Sequence, residues 1–147
     1  MKKIVLLDKK ILKIMLHKKK NEIILIGEVE EKENKIFVKN LNFINEGTEG
    51  YVFFDPELQL KFIKFCIEKD SIPIILHTHL HAKDKLFSDP DLSFLLRLYK
   101  CYKKMGGNNK MYAALINIQS KNVRYIYIYD GKIYAIKYIT KLYKGEG

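Results

Sequence analysis

Ile72-Pro73-Ile74-Ile75-Leu76-His77-Thr78-His79, followed by Ser88-Asp89-Pro90-Asp91, is the stretch on which the reading of this chain turns. The apolar run predicts a buried strand over 72–79. Side chains alternate along a strand, so His77 and His79 leave its end on the same face. Ser88, with Asp91 three positions on and Leu92, Leu95 and Leu96 beyond, is a capping box that opens a helix from about Asp89 to Lys104. Capping places Asp91 in the first turn, where it can face the strand end. Two imidazoles and one carboxylate leave a fourth position open, which is the donor set of a catalytic rather than a structural zinc. A metallohydrolase is therefore the leading expectation.

Outward from this stretch, helices and strands alternate. Asp55-Pro56 opens a helix, with Asp as N-cap and Pro at the first helical position, and Leu58, Phe62, Phe65 and Cys66 form its apolar face. Upstream, Glu22–Val29 and Ile36–Phe43 read as strands joined by the charged segment 30–35. Residues 45–50 read as a loop, 51–54 as a short extended piece, and Asp8–Lys19 as a helix with Ile11, Leu12, Met15 and Leu16 on one face. Downstream, Gly106-Gly107 stops the second helix and Tyr112–Ile118 is a strand. Val123–Tyr129, the turn Asp130-Gly131 and Lys132–Ile139 form a hairpin. The order predicts an α/β sandwich with a mixed central sheet.

At 147 residues, 48% of them apolar, the chain is expected to be a single domain over 1–147. No apolar run reaches bilayer length, so no membrane segment is expected. Met1-Lys2-Lys3-Ile4-Val5-Leu6-Leu7-Asp8 begins like a signal peptide. Its apolar part is too short and no small-residue cleavage site follows, so it reads as mature protein. Cys66 and Cys101 read as reduced thiols in a cytoplasmic protein. The formal charge of +10 invites a nucleic-acid partner, but only Arg97 and Arg124 among the 27 basic residues are arginine. Lysine lacks arginine's planar fork, so a solvated lysine surface is the better reading and a nucleic-acid partner is not expected. Tyr125, Tyr127 and Tyr129 alternate, with Tyr134 and Tyr138 across the turn. The row reads as one packed or half-buried sheet face, and it could equally form a homodimer surface. His17, on a lysine-rich helix end, reads as solvent-facing.

His-x-His with downstream Ser-x-x-Asp resembles the JAMM signature of the JAB/MPN metalloprotease family, and the order of elements from about residue 8 to 118 is similar too. The resemblance implies the JAB/MPN α/β/α sandwich, akin to the deaminase fold. It implies Zn2+ held by His77, His79 and Asp91, Glu22 as the general base, and Ser88 as donor to the oxyanion. It also implies cleavage of peptide or isopeptide bonds after the C-terminal tail of a ubiquitin-like or sulfur-carrier protein, the tail adding to a strand edge. The chain departs from the family pattern in three places. Eight residues rather than about seven separate His79 from Ser88, Leu80 stands where many members have proline, and Glu22 precedes Gly27 by five positions rather than about seven. Parity is preserved at Glu22, yet Glu28 and Glu30 remain open as the base. His79 and His81 with Asp91 are an alternative set with six intervening residues before Ser88; His77 and His79 are preferred because His77 directly follows the apolar strand, which leaves His81 a loop residue near the metal. Two other readings stand beside this one: a basic, nucleic-acid-associated JAB protein of the RadC type, and a metal-free scaffold on the same fold.

Overall fold

The computed structural model describes residues 3–10, 13, 22–46, 56–80 and 87–143. Among these residues the frame is a single mixed sheet of eight strands with two helices of more than ten residues. The strands are β1 (Lys3–Asp8), β2 (Ile23–Lys32), β3 (Lys35–Glu46), β4 (Ile72–His79), β5 (Lys110–Asn117), β6 (Val123–Tyr129), β7 (Lys132–Ile136) and β8 (Tyr138–Tyr143); the helices are α1 (Pro56–Glu68) and α2 (Asp89–Lys104). The sheet order is β7-β6-β5-β4-β2-β3-β1-β8.

Alternation along the strands divides the core in two. Ile24, Ile26, Ile75, Met111, Ala113, Ile126 and Ile128 face the helices and pack against Phe62, Ile63 and Cys66 of α1 and Leu95, Leu98, Tyr99 and Tyr102 of α2. Residues of opposite parity, among them Val5, Ile23, Leu25, Ile74, Leu76, Tyr112, Ala114, Ile116 and Tyr125, fill the inner face. β7 and β8 stand at opposite margins of the sheet, yet Lys137 alone separates them in sequence. The margins must therefore meet, and the sheet is rolled into a barrel-like form. The Tyr125 hydroxyl bonds Thr140 of β8 at 2.8 Å, and the Tyr125 and Tyr138 rings lie 5.4 Å apart.

The expected mixed α/β class is present. Helices α1 and α2 both pack against one face of the sheet. Of the helix expected over Asp8–Lys19, the described residues Lys9, Lys10 and Lys13 are helical, while Asp8 itself ends strand β1, which hydropathy did not single out. Asp55, the expected cap of α1, the extended piece 51–54 and His17 lie outside the described residues. The expected last strand to Ile139 is two strands, broken at Lys137.

Turn chemistry follows the residues. Asp130 and Gly131 both have positive φ (50 and 80), as a two-residue hairpin of mirror type requires. α2 ends as Gly106 turns left-handed at φ 95, with the Gly107 amide reaching back to the Tyr102 carbonyl at 2.9 Å. Along the tyrosine row Tyr125 is buried, half-buried Tyr127 stacks on Tyr134 at 4.9 Å, and Tyr129 and Tyr134 are exposed.

Candidate metal centre

β4 is the middle of the site. It is paired on one side with antiparallel β2 and on the other with parallel β5. Ile75, His77 and His79 share the helix-facing side, and α2, entering after the Ser88 cap, brings Asp91 over the strand end. Antiparallel register sets Ile24 opposite His77, so Glu22, two residues earlier in β2's approach and of the same parity, reaches the same face.

Four of the expected residues come together. His77 Nε2 lies 3.4 Å from the Glu22 carboxylate, and His77 Nδ1 lies 3.4 Å from Asp91. His79 Nε2 stands 3.1 Å from the other Asp91 oxygen. The two imidazoles meet edge to face, 4.9 Å between centroids. Glu22, His77 and His79 are all buried, and one donor atom from each lies within 4.8 Å of the others. Ser88, the fifth expected residue, is exposed at the rim. Its Oγ accepts from the Asp91 amide at 3.2 Å while its own amide donates to the Asp91 carboxylate at 3.0 Å. Phe87, Phe94, Leu95 and Ala113 line an apolar recess beside His77 and Asp91.

The alternatives for the base separate in space. Glu28 sits opposite Pro73, at the far end of β4, and accepts from Asn40 at 2.9 Å and Ser71 at 3.3 Å. Glu30 pairs with Lys32 and Lys39. Only Glu22 among the three stands against the histidines. His81 lies outside the described residues.

The electrostatics match a cation. Burial alone would lower the His77 pKa, but its hydrogen bond to Asp91 and the charges of Asp91 and Glu22 outweigh that and raise it to about 9. For Asp91, burial pushes upward, while the two histidines and the Ser88 amide more than reverse it and hold the carboxyl well below its usual range. His77 Nε2 is buried, and its nearest polar neighbour, the Glu22 carboxylate, stands at 3.4 Å, beyond a normal hydrogen bond. Such a buried polar atom costs about 1–3 kcal/mol if left unsatisfied. Buried Glu22, His77 and His79, each with a donor atom turned toward the others, could hold a metal ion.

Two features were not singled out from sequence. Asn117, buried beside His79 in the parallel register, accepts from the Ser120 amide at 2.9 Å and shapes the turn next to the site. Thr78 accepts from the Ile23 amide at 2.8 Å on the inner face. Its position between the two histidines was visible, and strand alternation alone would have placed it there.

No helix among the described residues is long and apolar enough to cross a membrane. No family model matches the chain, and no curated protein matches it. Among solved structures it is similar to the solution structure of protein DSY2949 from Desulfitobacterium hafniense, a structural-genomics target, at 18% identity over 96% of this chain and 94% of that one, with a TM-score of 0.59. That likeness carries the fold and extends over nearly the whole of both chains.

Proposed function

We propose that the chain is a zinc-dependent metallopeptidase or isopeptidase of JAB/MPN type, acting at the C-terminal tail of a ubiquitin-like or sulfur-carrier protein. The observation that carries this reading is the convergence of buried Glu22, His77 and His79, with half-buried Asp91 set against both histidines. The resemblance of the His-x-His and Ser-x-x-Asp spacing to the JAMM signature supports the reaction class and the fold type. Unbridged Cys66 and Cys101 fit a cytoplasmic setting.

His77, His79 and Asp91 would hold the ion. Bound zinc would supply Lewis acidity, polarising the scissile carbonyl and making a water a stronger acid. Glu22 accepts the proton of the attacking water and delivers it to the departing amine as the C–N bond breaks. The Ser88 hydroxyl spends only an acceptor lone pair on the helix cap, so its O–H remains to donate to the developing oxyanion. The sequence of steps needs no covalent intermediate.

The test is elemental analysis of purified wild type beside His79→Ala, followed by incubation with ubiquitin-like proteins carrying C-terminal extensions. About one zinc per chain, lost in the variant, with release of the extension, is the expected result. A wild type that takes up no zinc when zinc is supplied would refute the reading.

A further inference from the structure

We propose that Thr78 is a positioning residue: its hydroxyl fixes the start of β2 and thereby sets the Glu22 carboxylate against His77. The role in catalysis rests on the function proposed above.

The backbone ladder between β2 and β4 runs from Val29 opposite Ile72 to Ile24 opposite His77. The next amide, that of Ile23, donates to Thr78 Oγ1 at 2.8 Å rather than to a strand carbonyl. Thr78 and Ile23 are both fully buried (each 0% exposed), so water cannot replace this bond. The Thr78 side chain points to the face opposite His77 and His79, so it touches neither metal nor substrate. It acts through Ile23, whose peptide bond leads directly to Glu22. A β-branched threonine is stiff at χ1, so the acceptor is held in one place. On its other side Ile23 pairs with Glu46 of β3. Loss of the hydroxyl would therefore let the end of β2 tilt away from β4 without leaving the sheet, and the group displaced would be Glu22.

The test compares Thr78→Val, isosteric but without an acceptor, with Thr78→Ser, which keeps one. The Val variant is expected to retain zinc and KM while kcat falls about 10–100-fold, the cost of misplacing a reacting group by about an ångström. Thr78→Ser is expected to restore kcat. Val38→Ala, which thins the inner core on β3, serves as the structural control: it lowers the thermal midpoint and leaves kcat unchanged. A metal-free measurement stands apart from activity. Ile23 amide exchange is expected to be slow in wild type and Thr78→Ser and fast in Thr78→Val, with the Glu22–His77 separation in a crystal structure of the Val variant growing beyond 3.4 Å. Wild-type kcat in Thr78→Val, or an unmoved Glu22 in that crystal structure, overturns the proposal. Should the Val variant not fold, fast exchange at Ile23 in wild type overturns it as well. Absence of zinc from the wild type would instead bring down the function, and the Glu22 position would still decide the role of Thr78.

Discussion

Ser88 and Asp91 hold each other, the Asp91 carboxylate accepting from the Ser88 amide at 3.0 Å and Ser88 Oγ accepting from the Asp91 amide at 3.2 Å. The same carboxylate faces both histidines, so the helix cap and the candidate site share a residue. Ser88→Ala is expected to lose about 0.5–2 kcal/mol of stability as a cap and about 10²–10³ in kcat as an oxyanion donor. Ser88→Thr keeps both functions. Urea unfolding alongside steady-state kinetics separates them, and a variant that loses stability alone would reduce Ser88 to a cap.

The carboxylates divide by experiment. Glu22→Gln is expected to keep its zinc and lose about 10²–10⁴ in kcat, whereas Asp91→Asn loses zinc. Glu28→Gln, acting on a carboxylate held by Asn40 and Ser71, affects stability and leaves both zinc and turnover in place. Metal content of the three variants is the readout. Zinc lost from Glu22→Gln but kept by Asp91→Asn would make Glu22 the third ligand.

Acidity acts through His77, whose pKa of about 9 in the metal-free protein stands above its ordinary 6.5. On the proposed function zinc would displace that proton, and its apparent affinity is then expected to climb with pH and level off above about 9. The sign for stability is opposite. A raised folded-state pKa contributes stability that is fully present below the unfolded value and lost as pH rises through the folded one. The metal-free protein should accordingly unfold more easily at pH above 9 than near neutrality, and His77→Asn should flatten this stability profile. Chelator competition and thermal melts across this range check the two arms.

Gly27 sits where the β2–β3 register shifts between Ile26 and Glu28. A Cβ there would come within 2.6 Å of Leu41 Cδ2 and 2.9 Å of the Lys39 carbonyl. Leu41 can swing aside; the carbonyl can do so only if the strand moves. Gly27→Ala is expected to cost about 1–3 kcal/mol, measured by denaturant unfolding. An unchanged midpoint would mean that the bulge relaxes freely.

The site was legible because its parts obey local rules. Ile72–His79 and Asp89–Lys104 appear with the bounds that hydropathy and capping predict. His77 and His79 share a face by strand alternation, and Asp91 arrives by helix capping. What failed to show was set by long-range pairing. Lys3–Asp8 is too short and too charged at its ends to announce a strand; it becomes one by lying between β3 and β8. The break at Lys137 has no turn residue to mark it, because the chain there changes margins instead of folding back. Glu22 could be distinguished from Glu28 only once the register put one near His77 and the other near Pro73.

That single-residue passage at Lys137 has a mechanical meaning. The two margins of the sheet are bound to each other by the chain itself, so the roll cannot spread open like a page; one margin strand has to peel off first. The girth around Tyr125, Tyr138 and Thr140 is thus enforced by a covalent hoop as well as by packing, and a few flexible residues inserted at 137 would cut the hoop while leaving every strand its sequence.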